Sequence, residues 1–203
     1  LINALNVLES FNLNKYKENS AVTYHLIAEA LRKGHHARSS NVGDPEFYDV
    51  PINSLIDKKH AREHALKIKF NAALPASEIK PIEVINESRD TTHYSIIDKE
   101  GNAVSNTYTL GYSFGSGVTI PGTGILMNNQ MNNFAFKYGD SKEISRSSSP
   151  GNKFEPGKRP MSTMNPVIVK NKDNDISLIT GSPGGSFIPA AALRVISGII
   201  DFD

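Results

Sequence analysis

The strongest constraint in this sequence is a change of hydrophobic period at residue 90. Upstream, apolar residues recur at helical spacing. "LINALNVLE" sets Leu1, Ile2, Leu5 and Leu8 along one stripe, and "SAVTYHLIAEALRKGHHAR" repeats the pattern with Val22, Leu26 and Ala30 behind a cap candidate at Ser20. A third helix is predicted over 54 to 69. Downstream the alternation has period two, which predicts strands at 92 to 98, 103 to 110, 124 to 128, 166 to 170 and 176 to 180. A helix over about 187 to 200 closes the chain. Helices, then strands, then a helix predict an α+β fold.

Between these elements, "NVGDPEFYDVP" has the Gly, Asp and Pro punctuation of an ordered loop, and "PASEIKPIEVINESRD" reads as an extended surface segment. Residues 137 to 159, rich in Ser, Pro and Gly, read as a long mobile loop. The 203 residues suffice for one sizeable core or two unequal halves of one domain, without a metal or disulfide staple. Lys plus Arg number 22 against 21 Asp plus Glu, so a net charge of +1 offers no footprint for nucleic acid or an anionic membrane. A small polar substrate fits better. The absence of cysteine removes thiol catalysis, Cys-based zinc sites and disulfides. "LINALNVLESF" lacks the basic lead and cleavage site of a signal peptide, and no run approaches the roughly 20 apolar residues of a spanning helix, which predicts a soluble chain with no membrane segment.

The first two strands carry the most specific geometric expectation. If "DKEGN" turns near residue 100, positions summing to about 200 oppose each other, which sets Thr91 opposite Thr109. Directly opposed Cβ atoms lie roughly 4.5 to 5.5 Å apart, within reach for two hydroxyls. On spacing alone, paired threonines are ordinary strand residues, and "GSPGGS" is an ordinary Gly-rich turn before a helix.

Residues 91 to 186 resemble the small subunit of the γ-glutamyltransferases, members of the N-terminal nucleophile hydrolases. The resemblance rests on "TTHYSIIDKEGNAVSNTYTL", "GTGILMNNQMNNF", "KRPMSTMNPVIV" and "TGSPGGS", in that family's order and at similar separations, while "GDPEFYDVP" is similar to its large-subunit end. Members of the family are longer at both ends, so the resemblance implies an internal portion of a precursor. Residues 1 to 90 would end the large-subunit region, and 91 to 203 would form most of the small subunit. The implied fold is a four-layer αββα sandwich. The implied maturation is self-cleavage between Asp90 and Thr91, with no cofactor. Thr91 would attack the preceding carbonyl, and the ester formed by N-to-O shift would be opened by water. The freed α-amine, with a reference pKa of about 7.7 to 8.0, could then serve as general base for its own hydroxyl.

The same resemblance assigns Thr109 to orienting or polarising Thr91, and the backbone N–H groups of Gly184 and Gly185 to an oxyanion hole. Gln130 would hold the α-amino end of a γ-glutamyl group, and Ser162 with Thr163 its α-carboxylate. Two positions depart from the family's commonest pattern. Asn133 stands where an acidic residue is usual, and Gly111 where an asparagine often follows "TYTL". A neutral Asn133 holds an ammonium group less strongly than a carboxylate does, which tilts specificity toward glutaryl groups or a γ-linked polymer. A family arginine that pairs with the substrate carboxylate lies outside these residues. The implied partners are a glutathione-like donor, an amino acid or peptide acceptor, and the remaining parts of the precursor, in a periplasmic or extracellular setting. An inert fragment or pseudoenzyme is the reading from another class.

Three further motifs are weaker. "HAREH", His60 to His64, fits an inverted zinc-peptidase pattern but reads as a solvated helix face. "GHHARSS" reads as a surface turn, since adjacent histidines diverge on a helix. "GSGVTIPGTG" lacks the Gly-Lys-Ser/Thr ending of a phosphate loop and suits a loop beside a pocket.

Overall fold

The computed structural model describes residues 1–75, 90–135 and 149–202. The extended segment expected over 75 to 90 and the Ser-rich stretch up to 148 therefore lie largely outside the described residues. The chain divides into two compact units. One comprises Leu1–Val84, Asn133–Met161 and Ile196–Asp203, the other Ile85–Asn132 and Ser162–Val195.

The first unit is helical. Helix α1 (Ile2–Leu8) packs on α2 (Ala21–Asn41) and α4 (Lys58–Ala65), and the short α3 (Ile52–Leu55) precedes α4 in the chain. Ser20 caps α2 as expected: its Oγ accepts from Thr23 N at 3.2 Å, satisfying one of the four orphan N–H groups of a helix start. The α2 stripe Thr23, Leu26, Ile27 and Ala30 is buried, as are Ala4, Val7 and Leu8 of α1. Glu29 is buried too. Its charge is met by Arg32 Nη1 at 2.7 Å and by the Leu74 N–H at 3.3 Å.

Two helical expectations need correction. The single helix expected over 54 to 69 is broken, because Asp57 accepts from Lys59 N and His60 N and so starts a new helix instead of continuing the old one. The "GHHARSS" stretch is the last part of α2 and not a surface turn, since no residue there stops a helix before Val42. On α4, His60 is exposed but His64 is half-buried, and burial, then the Lys33 charge, lowers its pKa. The solvated face thus holds for His60, Arg62 and Glu63 but not for His64. Among the described residues, no group of three or more ligand side chains could hold a metal ion, and no helix is long and apolar enough to cross a membrane.

A carboxylate organises the rest of this unit. Asp44 in the "GDP" turn accepts from Arg159 N at 2.8 Å, Arg159 Nε at 3.0 Å and Arg159 Nη2 at 2.7 Å, and from Glu46 N at 3.2 Å. These bonds favour the ionised form, so the Arg159 guanidinium holds the Asp44 carboxyl well below the usual carboxylate range despite its burial. A depressed folded pKa contributes stability above the unfolded value, roughly 3.9, and loses it as pH falls. Asp44→Asn is therefore expected to lower Tm at neutral pH, and its gap from the native chain to close as pH falls from about 5 toward 2. Thermal melts across that range check this.

The end of the loop expected to be mobile is in fact a packed turn at 149–152. Ser149 and Asn152 are buried, and Ser149 Oγ accepts from Gly151 N at 3.2 Å. A Cβ on Gly43 would collide with the Gly151 carbonyl, and one on Gly151 with the Tyr48 ring. Backbone approach at Gly43 and the packed Tyr48 ring at Gly151 are the physical reasons for glycine at the two positions, and composition does not reveal them.

The second unit holds two hairpins. Strand β1 (Thr91–Ile97) pairs antiparallel with β2 (Ala103–Thr109), and Thr91 is opposite Thr109 as the turn position required. Asp98 shapes that turn by accepting from Glu100 N at 3.0 Å and Asn102 N at 2.8 Å, with Gly101 at φ +84°. Strand β3 (Val167–Lys170) pairs antiparallel with β4 (Ile176–Thr180). Ser105 Oγ joins the hairpins, donating to Thr180 O at 3.0 Å and accepting from Val167 N at 3.2 Å. The strand expected over 124 to 128 is absent. Only Thr119 and Leu126 form a bridge there, because Gly122 and Gly124, both at positive φ, keep the segment in turns. Helix α5 (Ile188–Asp201) follows β4, so the described residues form an α+β arrangement with two two-stranded sheets.

Candidate active site

The period of two places Thr91, His93, Ser95, Ser105, Thr107 and Thr109 on one face of the β1–β2 hairpin. At its open end the Thr109 Oγ1 hydroxyl donates to the Asp90 carbonyl oxygen at 3.1 Å and accepts from Gly111 N at 3.0 Å. The Gly111 bond directs the hydroxyl proton toward the carbonyl. The carbonyl belongs to the peptide bond that precedes Thr91, so this donor withdraws electron density from the carbon next to the Thr91 nitrogen. Ser113 Oγ donates a hydrogen bond to the Asp90 carboxylate, which holds the residue on the other side of that carbon. Gln130 Nε2 donates to Thr109 O at 3.4 Å. Asp90, Thr91, Thr109, Gly111 and Gln130 are thus brought together.

Gly111 is conformationally demanded. Its φ is +95°, and a Cβ there would overlap Asn129 Oδ1, which accepts from Tyr112 N at 3.2 Å. The Asn129 carboxamide occupies the space that a side chain at 111 would need.

The "GSPGGS" loop leads from β4 into Gly185–Phe187, a single 3-10 turn, and then α5. Gly184 and Gly185 have φ of +123° and +56°, positions where a side chain would strain the backbone. Ser162 is exposed and its Oγ accepts from Met164 N at 3.1 Å, while Thr163 is half-buried. Asn133 ends the 3-10 turn Gln130–Asn133 and is grouped with the first unit.

His93 and Ser113 were not singled out by the sequence. His93 Nδ1 lies 2.8 Å from Thr107 Oγ1 and Nε2 lies 3.1 Å from Ser95 Oγ, and a Cβ on Gly181 would collide with the ring. The imidazole therefore packs the strand that starts at Thr91 against the start of the "GSPGGS" loop. Its signal was the strand alternation itself, which puts a polar ring on the Thr91 face.

The gamma-glutamyltranspeptidase family model matches residues 1–203. The chain is 42% identical over 203 residues to the glutathione hydrolase proenzyme of Escherichia coli, covering 100% of this chain and 35% of that protein. It is 41% identical over 184 residues to the glutathione hydrolase proenzyme of Pseudomonas aeruginosa, covering 91% of this chain and 32% of that protein. Among solved structures, the cephalosporin acylase of Bacillus halodurans is similar with a TM-score of 0.77 at 27% identity, over 99% of this chain and 33% of that one. The chain thus spans about a third of the length of these relatives. It belongs to the gamma-glutamyltranspeptidase family.

Proposed function

We propose that this chain is the scission-bearing portion of a γ-glutamyl acyltransferase and hydrolase that matures by cutting itself between Asp90 and Thr91. The carrying observation is the hydrogen bond from Thr109 Oγ1 to the Asp90 carbonyl at 3.1 Å. Thr91 Oγ1 adds to that carbonyl carbon, the C–N bond breaks, the nitrogen takes a proton, and an ester joins Asp90 to the Thr91 oxygen. Water then cleaves the ester, leaving an Asp90 carboxylate and a free terminal Thr91. Its α-amine, with a reference pKa of about 7.7 to 8.0, takes the proton of its own hydroxyl in each later turnover.

In turnover, Thr91 Oγ1 attacks the γ-amide carbonyl of a glutathione-like donor, the amine leaves with a proton, and water or an amino acid or peptide accepts the acyl group. Gly184 and Gly185 would donate their N–H groups to the oxyanion, Gln130 would hold the α-amino end, and Ser162 with Thr163 the α-carboxylate. The proenzyme names of the relatives support the maturation step, and their hydrolase names support the acyl chemistry. The remaining parts of the precursor would complete a four-layer αββα sandwich. The outer face of the β1–β2 hairpin supports this, since Tyr94, Ile96, Val104 and Tyr108 are 46%, 55%, 49% and 56% exposed and make an apolar surface fit to be covered. Residues 1–90 and 91–203 would then belong to the two subunits, in a periplasmic or extracellular setting.

Asn133 favours a second reading within the same chemistry, a glutaryl-type acylase or a poly-γ-glutamate transpeptidase. Intact-mass measurement of the full-length precursor, followed by comparison of γ-glutamyl and glutaryl anilides, tests both. A new fragment starting at Thr91 with γ-glutamyl turnover is expected. A persistent uncut chain points to an inert fragment, and equal or better glutaryl turnover selects the second reading. Asn133→Asp is expected to shift the kcat/KM ratio about five- to tenfold toward the γ-glutamyl anilide, as a charged acceptor replaces a neutral one.

A further inference from the structure

Asn152 has a place in the structure that neither its position in a Ser-rich stretch nor its distance from Thr91 in sequence suggests. Its side chain is 1% exposed. Its Nδ2 donates to Asn133 O at 2.7 Å, and its Oδ1 accepts from Met161 N at 3.0 Å. Its own backbone carbonyl accepts from Ala135 N at 2.9 Å, and its N–H donates to Ser149 O at 3.1 Å. A single buried carboxamide therefore ties the residue that ends the Gln130–Asn133 turn to the residue immediately before Ser162 and Thr163.

At neutral pH a primary amide suits both partners where a carboxylate does not. One end must donate to a carbonyl and the other must accept from an N–H, across one rigid plane, and both partners are main-chain groups that cannot change roles. An aspartate offers acceptors at both ends and faces the Asn133 carbonyl with like polarity. A serine or alanine reaches neither. The supporting turn is itself fixed, because Ser149 caps it and Gly151 fits only without a side chain against Tyr48.

We infer that Asn152 is a positioning residue for substrate recognition, holding the Asn133 and Met161 segments of the first unit together, and so the Asn133 part of the grip on the acyl donor. This rests on the substrate role proposed above for Asn133. Asn152 touches no reacting atom, so it acts on donor binding and leaves the scission chemistry at Thr91 in place. A small shift of a positioning group costs rate or affinity steeply, which sets the size of the expected effect.

The test uses the full-length precursor with Asn152→Ala, which removes both bonds, and Asn152→Asp, which keeps shape and the Met161 bond. Scission at residue 90, Tm, and kcat and KM for a γ-glutamyl anilide are measured from pH 5.5 to 8. Both variants are expected to be cut, with KM raised about tenfold or more in Asn152→Ala, less in Asn152→Asp, and kcat within about threefold of native. The Asp variant should recover toward native KM at the acid end, where a buried carboxyl takes up a proton and can again donate to Asn133 O. A lower Tm with unchanged KM in the cut enzyme assigns Asn152 to folding alone and overturns the inference. A fall in kcat at constant KM overturns it too. If the Ala form does not accumulate, the Asp form decides by the same criteria. A native precursor that turns over neither γ-glutamyl nor glutaryl donors sinks the acyl-transfer reading itself, before any variant is compared.

Discussion

Thr91→Ala is expected to leave the precursor as one uncut chain and to abolish turnover, a loss of at least about 10⁴-fold. Both outcomes follow from one atom. Without Oγ1 nothing adds to the Asp90 carbonyl, so the ester cannot form and the α-amine stays locked in a peptide bond, where it has no basicity. Thr91→Ser separates the hydroxyl from the methyl. It keeps the nucleophile, so it should still cut itself, but more slowly and with lower kcat, because the lost Cβ methyl no longer restricts χ1. Intact mass against time reads the first effect and anilide hydrolysis the second. Cleavage of the Ala variant at the same bond would mean that another protease makes the cut and that the hydroxyl at 91 has no part in maturation.

The register that opposes Thr91 and Thr109 was legible because a hairpin turn of known position leaves only one pairing, and "DKEGN" supplies the Asp98 carboxylate and the positive-φ Gly101 that such a turn needs. The Ser20 cap was legible for the same kind of reason: its cause lies within three residues of its effect. What escaped the sequence depends on partners far along the chain. Nothing near Asn152 announces Asn133 and Met161 as its ligands, and nothing near Gly151 announces Tyr48. The broken helix at Asp57 is an intermediate case. The apolar pattern continues through it, yet a local side-chain bond to Lys59 N and His60 N competes with the helix and prevails. The candidate site divides along the same line. Threonines on one strand face were readable, whereas the Ser113 bond to Asp90 and the His93 contact with Gly181 required the fold.

Thr109→Val is expected to slow scission about 100- to 1000-fold, the usual cost of losing one donor to a developing oxyanion. Valine keeps the shape and strand preference of threonine, so the hairpin should persist and the loss should report the hydroxyl. Before the cut, that hydroxyl takes the Gly111 N–H and gives its own proton to Asp90 O, whose negative charge grows as Thr91 Oγ1 adds. After the cut, the Asp90 carboxylate is free to leave, and the same donor stands opposite the new terminal Thr91 in the β1–β2 register. One residue would thus polarise a carbonyl during maturation and orient a nucleophile during turnover. Thr109→Ser, which restores the donor, should recover most of both rates, whereas the Val form that eventually matures should remain impaired in kcat. A Val variant that cuts as fast as native removes the polarising role, and one that matures slowly but turns over normally removes the second role while leaving the first.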